Sequence, residues 1–568
     1  MSLPAPDIKT DLLVAGAGCA GMTAALVAAI QGLKVVLVEK AATIGGTTAY
    51  SAGTAWIPLT DHMSCRFDDT ADAVATYLDG LIGDAPGAGL RQAFMESGAE
   101  AVRLLEENSQ VSFVLPDHGP DYRDAPGSVA GGRALVAREY DGRKLGSWFR
   151  AIRAPRPGFT VLSRMMVGKR DIDALLAPFG SWANFSHVAR ILLRHAADRL
   201  AFSRGTRLVM GNALAARLLA SLLDRGVDIW TSTALVNLEM DGAAARGAVI
   251  RMPDGSLRRV RAARGVVLAT GGFAQSPQWR RDLIGNEDFG LNVACEDAGG
   301  DGLTLARSAG AQVDGPRGRG AAFWMPSSAL REKDGSVSLF PHIILDRAKP
   351  GLLAIDRRGQ RFCNEADSYH DFSMAMPEWN AEPAPGAPAW LICDSAFVRK
   401  YGLGFIRPGR LSKRLMRRHD YLVEAPDIPA LAAKIGVPAE TLGKTLSEHN
   451  AAADSGVDRR FGKGTTRLNR QNGDSRHMPN PCIGRIDKPP FHALAVWPAT
   501  LATSAGVVTD ADGRALRADG SAIAGLYAIG NDMRSIMHDS YPGPGTTIGP
   551  ALVFGYRAAM HAARAEMP

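Results

Sequence analysis

The chain is 568 residues long, too long for one compact core, so two or more lobes are expected. Hydrophobic residues at 46% and charged residues at 22% exclude a disordered chain. The net charge of +7, from 65 Lys+Arg against 58 Asp+Glu with no dense block of one sign, argues against a nucleic-acid partner.

The first informative stretch is "DLLVAGAGCAGMTAALVAAIQGLKVVLVEK". The apolar run Leu12 to Ala15 reads as a buried strand, Met22 to Ile30 as a helix, and Val35 to Val38 as a second strand. Between the first strand and the helix, Gly16, Gly18 and Gly21 complete a G-x-G-x-x-G pattern, and Glu39 closes the second strand. In that context the pattern is a dinucleotide-binding fingerprint. One glycine permits the tight turn, one lets the backbone approach the pyrophosphate, and one lets helix and strand pack closely. The helix N-terminus stabilises phosphate charge, and Glu39 can accept from a ribose hydroxyl. Gly16, Gly18, Ala20, Gly21, Glu39 and Lys40 are the candidate contacts here.

Three later segments extend the ligand. "AATIGGTTAYSAGTAWIP" brings Gly46, Thr47, Thr48, Ser51 and Gly53. "GVVLATGGFAQS" is an apolar strand ending at Thr270 and Gly271, and "GLYAIGND" is another ending at Gly530 and Asn531. Glycines at several strand ends suit a long cofactor lying across the carboxyl ends of one sheet, which favours FAD over NAD. "GGTTAYSAG" holds no histidine for a covalent tether, so the FAD is expected to be non-covalent.

Two segments, Val188–Arg204 and Arg410–Asp420, mix Leu or Ile with Arg at helical spacing. Each is open to two readings, a solvated helix face or contact with anionic lipid. The six cysteines (Cys19, Cys65, Cys295, Cys363, Cys393, Cys482) form no C-x-x-C pair and no zinc spacing, so no metal site is expected. The N-terminal stretch lacks the pattern of a secretion signal, and no run of 18 apolar residues predicts a membrane span. The expected location is the cytoplasm, with loose membrane association as the open alternative.

The chain closes on "DSYPGPGTTIGPALVFGYRAA", in which Tyr541 precedes two Pro-Gly pairs. Such pairs mark a rigid turn, and Ala551 to Met560 reads as a helix that Pro550 opens from its first turn. Thr547 and Ile548 join the candidate cofactor contacts at that helix start.

With these segments in order, the chain resembles the FAD flavoprotein superfamily that includes fumarate reductases and ketosteroid dehydrogenases. "LYAIGNDMRSIMHDSYPGPGTTIGPALVFGYRAA" is similar to the closing motif of the bacterial 3-ketosteroid 1-dehydrogenases, as are "GPDYRDAPG", "FWMPSS" and "RFCNEADSY". The resemblance implies an α/β fold, with a Rossmann-like FAD-binding domain at about 1–284 plus 490–568. An α+β catalytic cap domain is inserted at about 285–489. Three departures put the substrate's identity in question: "ATSAGVVTD" (502–510), His492 where a tyrosine is common, and an apparent insertion from about Glu139 to Phe185.

Desaturating a carbon pair beside a ketone requires a polarised carbonyl oxygen, a base over the alpha carbon, and a hydride acceptor, the flavin N5. Tyr541 and the backbone N–H of Gly545 suit the first need. By the resemblance, Tyr369 is the base and Tyr122 assists it. A phenol with an ordinary pKa near ~10 needs a second phenol or a positive field to act at neutral pH. His370, beside Tyr369, is the competing base.

The expected substrate is a small hydrophobic, steroid-like ketone. The alternatives are a 3-oxo-5α-steroid 4-dehydrogenase, or a fumarate-reductase-like enzyme using Arg317 and Arg319. With no second dinucleotide fingerprint, an external quinone or dye-like acceptor is expected rather than NAD(P)H.

Overall fold

The computed structural model describes residues 8–64, 69–117, 119–162, 164–176, 178–285, 288–343, 346–377, 388–409 and 420–565. Its centre is an α/β sheet with five parallel strands in the order Asp228–Trp230, Val35–Val38, Ile8–Ala15, Leu257–Leu268 and Ala522–Ala528. At its middle, residues 12–15 and Val35–Val38 are short runs of Val, Leu and Ala buried on both faces, as a covered parallel sheet requires. An antiparallel hairpin, Ala234–Asp241 with Ala244–Arg251, extends the other half of Leu257–Leu268.

The helix after the first strand runs Cys19–Ile30, three residues longer at its start than the apolar pattern predicts. It is apolar nearly all round and almost wholly buried, packed between the helices Met210–Asp224 and Ile548–Arg564. The closing helix also begins earlier than expected, at Ile548, with Pro550 inside its first turn, where a missing N–H costs no hydrogen bond.

A second, antiparallel sheet has the order Val337–Pro341, Ala322–Arg331, Phe491–Thr503, Ala389–Asp394 and Leu352–Ile355, with Val423–Ala425 paired to Phe491–Thr503. Because Phe491–Thr503 is central here, sheet membership draws the return to the first sheet after Thr503, one strand later than the expected 490. His492 is fully buried in that strand, opposite Cys393 and Glu424, and does not face the cavity described below.

The expected insertion folds into a 3₁₀ segment, Gly142–Arg150, a short hairpin, Thr160–Val161 with Met165–Met166, and helices Lys169–Leu176 and Trp182–Ala201. The Ser181 hydroxyl caps the last helix by accepting the Asn184 N–H at 3.1 Å. Among the described residues, no helix is long and apolar enough to cross a membrane. Of the Arg410–Asp420 segment, 410–419 lie outside the described residues.

Candidate active site

Four of the five parallel strands lead to one cavity of about 730 Å³. Ala15 leads to Gly16 and Gly18, Val38 to Glu39 and Lys40, Leu268 to Thr270 and Gly271, and Ala528 to Gly530 and Asn531, and all of these except Leu268 and Ala528 line it. Ala20, Gly46, Thr47, Thr48, Ser51, Gly53, Thr547 and Ile548 complete the candidate cofactor wall. Gly21 alone stands back from it. A Cβ there would sit 1.9 Å from Gly16 O, so its role is the close contact between helix and turn. Gly16 has φ +108°, and a Cβ would strike Ala269 O at 2.2 Å.

Hydrogen bonds tie these turns together. The Cys19 N–H donates to Thr48 Oγ1 at 3.1 Å, leaving later first-turn amides for a phosphate oxygen. The Glu39 carboxylate accepts the Ala17 N–H at 2.8 Å and the Ala41 N–H at 2.9 Å, one on each oxygen, so each oxygen keeps a lone pair for a ribose hydroxyl. Burial pushes its pKa above the ordinary carboxylate value. Lys40 pairs with Asp301 at 2.6 Å. Asp532, fully buried, accepts the Thr270 N–H at 2.5 Å and the Gly272 N–H at 2.8 Å, which joins two strand ends remote in the chain.

At the other end of the cavity three phenols converge. The rings of Tyr122 and Tyr541 stack with centroids 5.9 Å apart, and Tyr369 meets Tyr541 edge-on at 5.2 Å and Tyr122 at 5.7 Å. The Tyr369 phenol therefore lies beside both of the others. Burial pushes Tyr541 up to about 12 and also raises Tyr122 and Tyr369 well above the ordinary phenol value, so the resting protein holds three neutral phenols. Arg347, itself buried, donates to the carbonyls of His342, Ile343, Glu365 and Asp367, and its charge opposes the shift at Tyr122.

The turn bearing Tyr541 is held against the strand Thr54–Trp56. Gly545 has φ +96°, its Cβ would lie 2.3 Å from Thr54 O, and its carbonyl accepts the Trp56 N–H at 3.2 Å. The Trp56 indole donates to Asp121 Oδ1 at 2.9 Å, and Arg133 holds the other Asp121 oxygen at 2.8 Å. The next residue is Tyr122, whose N–H donates to Pro542 O at 2.8 Å, so one network sets both Tyr122 and the Tyr541 turn.

His370 is placed for another task. Its Nδ1 accepts the Trp324 N–H at 3.2 Å, which leaves Nε2 protonated and donating to Asp539 O at 2.9 Å. Both nitrogens are engaged by main chain, and burial lowers the pKa, so the ring is neutral. Arg317 and Arg319 do not line the cavity. Arg317 donates to Asp282 O, and Arg319 to Met374 O.

Residues 11–548 match the family model described as the FAD binding domain. The 3-oxosteroid 1-dehydrogenase of Mycobacterium tuberculosis (strain ATCC 25618 / H37Rv) is 35% identical over 97% of this chain and 98% of its own length. The chain belongs to the 3-ketosteroid 1-dehydrogenase family of FAD flavoproteins. The 4-oxocyclohex-2-ene-1-carboxylate 5-dehydrogenase of Sinomonas cyclohexanicum is 38% identical, covering 98% of this chain and 94% of that relative. The crystal structure of 3-ketosteroid delta1-dehydrogenase from Sterolibacterium denitrificans in complex with 1,4-androstadiene-3,17-dione superposes with a TM-score of 0.90 at 31% identity, over 98% of this chain and 100% of that one.

The residues present fit the family's FAD: the Gly16 cradle has room for a diphosphate and none for a Cβ, and the closing helix aims its N-terminus into the same cavity. Sequence reasoning missed Asp121 and Trp56, although "GPDYRDAPG" and "AATIGGTTAYSAGTAWIP" contain them, and Arg133 and Arg347, which lie in no motif. It also missed Asp532, although "GND" sits at a strand end where a glycine turn needs an acceptor.

Proposed function

We propose that this chain is an FAD-dependent dehydrogenase that desaturates the ring bond beside the carbonyl of a 3-ketosteroid. The observation that carries this reading is the convergence of Tyr122, Tyr369 and Tyr541 with Gly545 at one end of a cavity whose further walls are apolar, among them Phe159, Val161, Phe340, Ile343, Leu468 and Leu501. The cations Arg156, Lys349 and Arg407 also line the cavity, but each donates to a main-chain carbonyl. One such bond does not use up the donors of a guanidinium or an ammonium, and Arg156 Nε is buried without a hydrogen-bond partner, so a carboxylated monocyclic ketone, the substrate class named for the Sinomonas relative, is the second guest to test.

In this reading the Tyr541 hydroxyl and the Gly545 N–H donate to the ketone oxygen as negative charge grows on it. Tyr369 takes the alpha proton, and Tyr122, whose ring meets it edge-on at 5.7 Å, is the neighbouring phenol that can pass that proton on. His370 acts as a brace: it holds the Asp539 carbonyl two residues ahead of Tyr541. Gly16, Gly18, Ala20, Glu39, Lys40, Gly46, Thr47, Thr48, Ser51, Gly53, Thr270, Gly271, Gly530, Asn531, Thr547 and Ile548 hold the cofactor, and FAD supplies the hydride acceptor when bound. The cofactor domain is drawn from both ends of the chain, with the antiparallel sheet as the substrate cap. A quinone or dye-like acceptor reoxidises the enzyme, which works in the cytoplasm in loose contact with a membrane.

The test is anaerobic bleaching of the enzyme-bound FAD by a panel of ketones. A saturated-ring-A 3-ketosteroid should bleach it and yield the 1-ene. Bleaching by 4-oxocyclohexanecarboxylate alone would move the substrate to the monocyclic class, and formation of a 4-ene would move the desaturated bond.

A further inference from the structure

The helix Trp182–Ala201 carries its faces the wrong way round for a soluble protein. Its inner side holds Val188 and Ile191 but also the polar anchors His195, which bonds Leu162 O at 2.8 Å, and Asp198, which accepts the Thr206 N–H at 2.7 Å. Its outer side presents Trp182, Phe185, Ala189, Leu193, Ala196 and Leu200, spaced three or four residues apart on one helical stripe.

Trp182 is 80% exposed, Leu193 71% and Leu200 90%. Phe179, 85% exposed, stacks on Phe185 at 6.0 Å, and Trp182 stacks on Phe185 at 5.5 Å, so a three-ring aromatic cluster stands in solvent. Among the described residues, six of the eleven exposed large apolar side chains lie between Leu162 and Leu200. Such concentration on one insert marks a contact surface.

The charge around the stripe says what it contacts. Arg190 and Arg199 are exposed on opposite flanks of it, and Arg164 and Arg170 are exposed nearby. Two acids of the same insert, Asp171 and Asp198, are turned inward. Asp171 is held by His187 and Arg207 and Asp198 is buried, while Asp173 is exposed at the cavity mouth. An apolar stripe with tryptophan at one end and arginines along its edges matches the headgroup layer of an anionic bilayer, where the rings and leucines enter the acyl boundary and the guanidinium groups meet phosphate. The inner side of the insert, through Phe159, Val161, Val167, Ile172 and Leu175, lines the cavity.

We propose that the outer face of this insert docks on an anionic lipid bilayer, and that the cavity behind it takes its lipophilic ketone from that bilayer. The second half rests on the steroid-like reading of the cavity; the docking does not.

The test uses the FAD-loaded full chain and sedimentation with vesicles of phosphatidylcholine containing phosphatidylglycerol, or of phosphatidylcholine alone. The wild type should sediment with the anionic vesicles. Leu193→Glu combined with Leu200→Glu should lower the partition coefficient by about tenfold or more, and Arg190→Glu with Arg199→Glu should abolish the preference for phosphatidylglycerol. An unchanged flavin spectrum and melting point certify the fold of each variant.

Failure of the wild type to bind, or undiminished binding of the leucine variant, overturns the docking. So does a wild type that dimerises in lipid-free buffer while the leucine variant is monomeric and neither sediments, because the face then joins two copies of the chain. For the route, kcat/KM of the leucine variant should fall for a 3-ketosteroid supplied in vesicles and hold for the same steroid supplied from cyclodextrin. Equal values in both supplies overturn the route. No flavin bleaching from either supply, even in the wild type, would instead count against the steroid reading and leave the docking result standing.

Discussion

The two ends of the cavity recognise their ligands by different means. At the cofactor end the contacts are strand ends and glycine turns, with main-chain amides aimed at the ligand and Glu39 held on two of those amides. At the ketone end the contacts are phenol side chains, held by other side chains through Asp121, Trp56 and Arg133. A backbone site is broken by adding atoms, whereas a side-chain site is broken by removing them. Damage to the first should therefore appear as lost cofactor, and damage to the second as slow chemistry with the cofactor in place.

The largest effect is expected at the cofactor end. Gly16→Ala puts a Cβ 2.2 Å from Ala269 O, and the purified protein should be colourless. A yellow, fully loaded variant would show that this turn does not need its bare backbone. In the wild type, acid precipitation should release all the flavin into the supernatant; yellow colour on the pellet would reveal a covalent bond.

Next come the phenols. Tyr541→Phe should retain FAD and slow its reduction by a ketone by about 10²–10³, or roughly 2.7–4 kcal/mol, because the donor acts on an oxygen that grows more negative in the transition state. Tyr369→Phe should be at least as severe. Anaerobic stopped-flow absorbance reads both, and a rate near wild type in either variant removes that tyrosine from its role.

The pH profile follows from the shared burial of the phenols. Burial raises Tyr369 well above the ordinary value, so across neutral pH its ionised fraction, and with it the rate of flavin reduction, should climb by up to about tenfold per pH unit. Tyr541, pushed up to about 12, remains a proton donor across that range, so no alkaline fall should arise from it. A flat profile between neutral pH and pH ~10 would mean that Tyr369 does not lose its proton in the step measured.

The smallest effect belongs to His370→Gln. With both nitrogens bonded to main chain, the ring supports the turn through a hydrogen bond worth about 1 kcal/mol, so the rate should fall by less than about tenfold. Abolished flavin reduction with a normal melting curve would return His370 to the base position.

Much of the cofactor end was legible from the chain because its signals are local. The G-x-G-x-x-G turn, the strand before it, the helix after it and Glu39 lie within one short stretch, and glycine is needed there for reasons of backbone geometry that hold in any fold. The convergence of Tyr122, Tyr369 and Tyr541 was reached only by resemblance, since those residues are far apart in sequence.

What tertiary structure alone decided concerns partners. His370 and Tyr369 are neighbours in the chain, with Tyr369 the expected base and His370 its competitor, and sequence says nothing of Trp324 and Asp539, whose main chain engages both imidazole nitrogens. Periodicity shows an apolar stripe on Trp182–Ala201 but not which way it faces. The packing of Val188, Ile191, His195 and Asp198 toward the protein turns that stripe outward. Local backbone preference is written in adjacent residues, whereas the protonation of a buried ring and the exposure of a helix face depend on which distant groups pack against them.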